Sequence, residues 1–147
     1  MKLYIGADHN GFHLRNSLVE HLQKSGYEVA DESLPMLDPA DDFPVFAQKV
    51  VTDVLTSEDP EPRGILLCGS GQGMCMVANR YKGIRAALGY DRESVRSSRT
   101  DDDSNILCLP ARHLEKDEAN VLVETWLHTP FAGAPRFIRR IQEMDQI

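Results

Sequence analysis

The spacing of apolar positions changes period repeatedly along the chain. Leu3, Tyr4 and Ile5 form a short apolar run that ends at Gly6 and predicts a strand. Leu14, Leu18, Val19 and Leu22 then recur at helical spacing, and Gly26 stops that helix. Tyr27, Val29 and Ala30 predict a second strand, and residues 31–42, with Pro35 and Pro39, read as a loop. Asp42, Phe43 and Pro44 read as a helix start, with an acid to cap it and an early proline. Phe46, Ala47, Val50, Val51, Val54 and Leu55 continue the apolar face of that helix. Gly64, Ile65, Leu66, Leu67 and Cys68 form a third strand without alternation, as expected where both faces of a sheet are covered. A glycine-rich turn follows, then a helix with Met74, Val77, Ala78 and Tyr81 on one side. Residues 84–88 predict a fourth strand, and Asp91 opens the next helix. Residues 105–109 predict a fifth. Ala119, Leu122, Val123, Trp126 and Leu127 mark a further helix. After Pro130 and Pro135, a last basic helix is expected to turn Phe137, Ile141 and Met144 inward.

Strands thus alternate with helices about five times, which predicts an α/β fold with a parallel sheet covered on both faces. Right-handed crossovers leave few topologies. The 147 residues suit one domain, 1–147. In such sheets the ligand crevice lies outside the C-terminal ends of the strands. Attention therefore falls on Asp8 and His9, the turn after Cys68, Asp91, and Arg112 with His113.

Composition narrows the function classes. Lys plus Arg number 16 against 23 Asp plus Glu, a formal charge of −7, which argues against broad binding to nucleic acid or to an anionic membrane. No apolar run approaches the roughly 20 residues that span a bilayer. Asp8 arrives too early for a signal peptide. The expectation is a soluble cytoplasmic protein. Three cysteines, an odd count without a C-x-x-C pair, predict neither a disulfide framework nor a zinc site. Cys75 and Cys108 read as core residues. The acidic runs at 38–42 and 101–103 read as solvated loop or cap.

Several residues at the predicted strand ends could carry chemistry. Gly69, Gly71 and Gly73 alternate with Ser70 and Gln72, which lets the backbone turn tightly and expose successive N–H groups. The following helix would point its positive end the same way, making a place for an anion or oxyanion. The alternative is a tight turn without a ligand. The spacing is not the dinucleotide fingerprint, because Met76 stands where its last glycine belongs, and no Walker sequence follows. Cys68, before that helix, is either a base or nucleophile with a depressed pKa or a small core residue. Asp8 and His9 either grip a sugar hydroxyl and move its proton or serve as a helix cap and a surface histidine. His13, His21 and His128 read as surface residues. Arg136 and Arg140 share a helix face at i, i+4, with Arg139 beside them and Arg112 after the fifth strand. They read as a phosphate clamp or as a basic helix end that complements the dipole.

Taken together, IGADHNGF near the start, GILLCGSGQGM, ANRYKGIRAAL and the basic end PRFIRRI resemble the ribose-5-phosphate isomerase B family, grouped with the galactose-6-phosphate isomerase subunits. The resemblance covers nearly the whole chain. It implies a Rossmann-like three-layer αβα sandwich with a five-stranded parallel sheet. It implies a homodimer or dimer of dimers with the site near the subunit boundary. It also implies aldose–ketose isomerisation of a small phosphorylated sugar, by default ribose 5-phosphate and ribulose 5-phosphate, without metal or organic cofactor. By the same resemblance Asp8 and His9 bind substrate and Cys68 moves the proton between C1 and C2. Gly69, Ser70, Gly71, Gln72 and Gly73 hold the enediolate, and Arg112, Arg136 and Arg140 hold the phosphate. Relatives that use a glutamate base place it where this chain has Met74, so the chain sits with the cysteine users.

One departure stands out. Relatives usually carry histidine–asparagine–aspartate before the fifth strand, and the histidine is thought to open the sugar ring. Here Asp101 replaces the histidine and Asp102 the asparagine. A carboxyl with an ordinary pKa near 3.9 is a poor proton donor at neutral pH. Either Asp101 is raised by Asp102 and still acts as the acid, or a nearby histidine substitutes, or the substrate needs no ring opening. A tetrose 4-phosphate, whose O4 is blocked, meets the last condition. A sugar-phosphate or nucleotide-binding module without catalysis is the alternative from another class.

Overall fold

The computed structural model describes residues 1–147. The elements run β1 (Lys2–Ala7), α1 (Phe12–Lys24), β2 (Glu28–Asp31), α2 (Phe43–Thr56), β3 (Arg63–Cys68), α3 (Gln72–Ala78) and β4 (Ala86–Leu88). Then follow α4 (Arg92–Thr100), β5 (Ile106–Pro110), a 3₁₀ turn (Ala111–His113), α5 (Lys116–His128) and α6 (Pro135–Met144). The five strands form one wholly parallel sheet in the order β2-β1-β3-β5-β4.

Alternate strand residues feed two apolar layers. Leu3, Ile5 and Ala7 of β1, Ile65 and Leu67 of β3, and Leu107 and Leu109 of β5 pack under α1, α4 and α5, around the fully buried Trp126. Tyr4, Leu66, Cys68, Ile106 and Cys108 face the other way, under α2 and α3. Each of these leucines and isoleucines contributes roughly 2–3 kcal/mol by leaving water. The result is the expected Rossmann-like αβα sandwich. Gly6 and Gly64 let α2 approach the sheet: a Cβ at either would stand 2.9 Å from Val50.

The strand order positions the site. From β1 the chain steps outward to β2, then crosses back to β3 on the other side of β1. The segments leaving β1 and β3 therefore diverge, α1 to one face and α3 to the other. A crevice opens between their starts, at the C-terminal strand ends.

Some elements differ from the sequence reading. Strand β4 is only three residues long, because it pairs on one edge alone and Ile84 and Arg85 precede the ladder. Helix α3 ends at Ala78, so Tyr81 packs on the core from the following turn. Leu55 is 47% exposed. In α6 only Phe137 is buried, and Met144 is exposed rather than inward.

Candidate active site

Three of the sequence-predicted groups meet at the C-terminal strand ends: Asp8 with His9, Cys68 with its glycine turn, and Arg112. Asp8 follows β1 and is almost buried; its backbone N–H donates to Leu67 O at 3.2 Å. One of its carboxylate oxygens accepts from the N–H groups of Asn10 (2.9 Å) and Gly11 (3.2 Å), which fixes the turn into α1. Both donors precede the helix, and Gly11, which stands at the cap position of α1, receives no side-chain cap, so Asp8 ties the turn before the helix rather than capping it. The second carboxylate oxygen has no partner in the chain. His9 stands beside it, half-buried.

Cys68 ends β3, 5% exposed, on the face of the sheet that carries Leu66, Met74 and Cys108. The turn that follows carries the donors. The backbone N–H groups of Gly69, Ser70, Gly71, Gly73 and Met74 have no acceptor in the chain, and that of Gln72 has only Ser70 Oγ at 3.3 Å. Gly71 lies at φ +74°, a left-handed position that favours glycine. Gly73 lies under the ring of Phe43, the first residue of α2: a Cβ there would stand 2.7 Å from Phe43 Cζ. Helix α3 has seven residues. Its dipole is correspondingly short; Gly69, Ser70 and Gly71 offer their donors from the turn, and Gly73 and Met74 offer theirs from the first turn of the helix.

Arg112 reaches the same place from the 3₁₀ turn after β5. Its N–H donates to Gly69 O at 3.0 Å, and its guanidinium packs on Gly69, where a Cβ would stand 2.9 Å from Cζ. Arg112 Nη2 donates to Asn10 Oδ1 at 3.1 Å, tying the β5 end to the β1 end across the crevice.

Two residues of this cluster escaped the sequence reading. Asp41, from the acidic run read as solvated loop, accepts from both His9 Nδ1 (2.7 Å) and the His9 backbone N–H (3.0 Å) through one oxygen. Asn10 lies with Nδ2 3.1 Å from His9 Nε2. The Asp41 hydrogen bond raises the pKa of His9 above its ordinary value. Burial opposes this, the Asp8 and Asp41 charges add to it, and Arg112 lowers it. No spacing in the chain pairs residue 41 with residue 9. The only signal was an acid in a loop that returns toward the strand ends. Asp42, the expected cap of α2, makes no capping hydrogen bond. Asp8, His9 and Asp41 could offer a cation one atom each within 4.8 Å. In this chain those groups already hydrogen-bond to one another or to backbone.

The remaining predicted residues lie elsewhere. Cys68 pairs with Pro110 and Gly64 with Ile106, so about 13 Å of strand separates the two ends of β3. Residues 101–103 precede β5 and sit at the far end. There Arg85 Nε donates to the carbonyls of Asp102 (2.9 Å) and Asp103 (3.0 Å). Burial first, and then the Asp101 charge, push the Asp102 carboxyl up, while Arg140 and Arg85 pull it down. Arg140 is thus a neighbour of Asp102. Arg136 stacks on Phe137, 4.3 Å from its ring centroid. The segment before α6 is anchored by Ala132 N–H donating to Thr100 O at 3.0 Å. Within one chain, Asp101, Asp102, Arg136 and Arg140 do not join Cys68 and Arg112. Cys108 is fully buried, which raises its pKa well above the thiol range. Cys75, half-buried beside it, is lowered chiefly by its contact with Cys108.

The chain matches the Ribose/Galactose Isomerase family over residues 3–144. It is 35% identical over 141 residues to the ribose-5-phosphate isomerase B of Mycolicibacterium paratuberculosis, covering 96% of this chain and 87% of that protein. The crystal structure of a ribose 5-phosphate isomerase from Thermotoga maritima superposes with a TM-score of 0.94 at 40% identity, covering 99% of this chain and 98% of the other. The ribose-5-phosphate isomerase B of Mycoplasma genitalium, solved with bound ribulose-5-phosphate, superposes with a TM-score of 0.93 at 35% identity, covering 99% and 94%. A strand-end cysteine before a glycine turn, in this strand order, and similarity along nearly its whole length make the chain a member of the ribose/galactose isomerase family.

Proposed function

We propose that this chain interconverts ribose 5-phosphate and ribulose 5-phosphate by moving one proton between C1 and C2 through an enediolate. One observation carries the reading. Cys68 ends β3 directly against a turn and helix start in which the N–H groups of Gly69, Ser70, Gly71, Gly73 and Met74 lack acceptors. The Mycoplasma genitalium relative with bound ribulose-5-phosphate supports the substrate pair.

A C–H beside a carbonyl is acidic only when the charge that develops on the carbonyl oxygen is stabilised. Fixed backbone donors do this without reorganising, and losing one costs about 3 kcal/mol. The Cys68 thiolate takes the proton from C2 of the aldose and the carbonyl electrons move onto O1. The thiol then returns the proton to C1, while the O2 hydroxyl passes its proton to O1 and becomes the ketone. One base above a planar enediolate reaches both carbons. Arg112 holds the phosphate end and so fixes which carbons meet the sulfur.

The far-end residues fit this reading if a second copy supplies them. We infer that Asp101, Asp102, Arg136 and Arg140 of one copy complete the site around Cys68 of another, in a homodimer or dimer of dimers. Exposed Ile138 and Met144 on α6 support a helix that another copy covers. No helix is long and apolar enough to cross a membrane. A charged sugar phosphate does not cross one unaided, so the cytoplasm is the compartment that the reaction implies.

Cys68→Ser separates an enzyme from a binding module. Turnover is expected to fall by about a thousandfold or more with circular dichroism unchanged. In deuterated water, exchange of the Cys68 thiol proton with solvent while the enediolate persists is expected to leave deuterium at C2 of the recovered aldose, whereas a hydride shift leaves none. Tetrose, pentose and hexose phosphates assayed side by side test the substrate, with the highest kcat/KM expected on the pentose. Asp101, standing where a ring-opening histidine is expected, favours a tetrose 4-phosphate as the second reading. A clear preference for that sugar would select it.

A further inference from the structure

The protonation state of His9 follows from counting donors and acceptors along four side chains. A guanidinium has donors only, so the Asn10 atom facing Arg112 Nη2 at 3.1 Å has to be its carbonyl oxygen. The other end of that amide is then NH₂, also a donor, and it lies 3.1 Å from His9 Nε2. Nε2 must therefore be a bare acceptor. The single imidazole proton sits on Nδ1 and is donated to Asp41 at 2.7 Å. In the free protein Arg112 thus dictates, through Asn10, a neutral His9.

The charges facing that ring oppose this state. Asp41 and Asp8 favour the imidazolium, with Arg112 alone opposing them, and the Asp41 hydrogen bond outweighs partial burial. The amide of Asn10 occupies the place where the second proton would go. An oxyanion with several acceptor oxygens competes for Arg112 and can engage its guanidinium in a bidentate manner. Once Arg112 turns to that anion, Asn10 is free to rotate. Its carbonyl then accepts from Nε2–H, and His9 takes up a proton from solvent.

We propose that Asn10 couples anion binding at Arg112 to protonation of His9, so that the site acquires an acid only when a phosphate arrives. Asn10 and Asp41 are positioning residues here: they act through His9. The inference rests on the proposed sugar-phosphate isomerase reading and deepens it, because it supplies a proton donor in a chain whose residue 101 is an aspartate.

By linkage, anion affinity falls about tenfold per pH unit between the free and bound pKa values of His9. Sulfate is the probe, since its charge is constant from pH 5 to 9. The His9 pKa is read from long-range ¹H–¹⁵N spectra of the intact protein with and without sulfate. Proton uptake is read by calorimetry in two buffers of different ionisation enthalpy. In the wild type, sulfate is expected to raise the His9 pKa by at least one unit, with Nδ1–H as the neutral tautomer. In Asn10→Ala the free pKa is expected to be raised already, with the sulfate effect cut to less than half. In Asn10→Asp, a carboxylate that accepts from both neighbours, His9 is expected to stay protonated through pH 8 and proton uptake to vanish. Equal free pKa values in wild type and Asn10→Ala, an Nε2–H tautomer, or no effect of sulfate on His9 would each overturn the coupling. A normal sulfate response without isomerase turnover would instead count against the proposed function alone.

Discussion

Gly69 and Gly71 lie two residues apart in one turn, yet they are glycines for different reasons. At Gly71 both the φ of +74° and the space forbid a side chain: a Cβ would stand 2.5 Å from Leu88 Cδ1 and 3.2 Å from the Leu109 carbonyl carbon. Backbone strain and overpacking then add, and Gly71→Ala is expected to cost about 2–4 kcal/mol. At Gly69 the φ is ordinary and the obstacle is the exposed Arg112 guanidinium, 2.9 Å away, the far end of a flexible side chain. Gly69→Ala is expected to change stability by less than about 1 kcal/mol while displacing Arg112 and raising KM for the sugar phosphate about tenfold. Melting temperature and steady-state kinetics measured on both variants check the contrast. Equal losses of Tm would refute it. At this scale the sequence disclosed the residues beside the strand ends and missed their partners. Asp8, Cys68 and Gly71 are legible because a strand end plus a local motif is enough to place them. Asp41 is not, because its role depends on a loop returning across 32 positions to meet His9. Asn10 is not, because its importance lies in which atom faces Arg112, 102 positions away.

The elements are held together by polar contacts as well as by the two apolar layers. Ser104, in the turn between α4 and β5, is 2% exposed. Its hydroxyl accepts from Trp126 Nε1 of α5 at 2.8 Å and lies 2.9 Å from Ser98 Oγ of α4. Its carbonyl accepts from Arg99 Nη1 of α4 at 2.6 Å. Ser104→Ala keeps the carbonyl bond and leaves the buried indole N–H without an acceptor, which costs about 2 kcal/mol. Ser98→Ala leaves that bond in place and is expected to cost less than half as much. Urea unfolding checks both: the midpoint should fall further for Ser104→Ala, with an unchanged slope. Element order was readable because β3 carries an unbroken apolar run from Ile65 to Cys68 while α2 and α5 carry unbroken helical faces. The ends of β4 and α3 were not readable. An edge strand gains ladder bonds on one side only, so Ile84 closes the preceding turn onto Tyr81 O while Arg85 bonds to Asn105 ahead of the ladder. The direction of α6 was misread for a related reason. Its apolar residues follow helical spacing, but one chain supplies a partner surface only for Phe137.

At the scale of the molecule, the arrangement is polar in the geometric sense. Cys68, the donor turn, His9 and Arg112 occupy the C-terminal strand ends, while residues 101–103 and α6 cluster around Arg85 beyond the N-terminal ends. No rotamer change moves Arg140 along a strand's length to the crevice, so its participation requires a second copy related by a symmetry axis. An isologous pairing would place the far end of each chain against the crevice of the other, giving two equivalent sites. Active-site complementation tests this without a structure of the complex. Cys68→Ser spoils the half-site with the base, and an Arg136→Ala, Arg140→Ala double variant spoils the half-site with the clamp. Each alone is expected to be nearly inactive. Mixed by co-expression or refolding, random pairing makes half of the dimers heterodimers. In each of these, one site collects both defects and the other is intact. Activity should return to about a quarter of the wild-type level. If both half-sites belonged to one chain, every site in the mixture would keep a defect and activity would not recover. The same experiment in separately folded, unmixed samples controls for residual activity, and recovery should appear only on the timescale of subunit exchange.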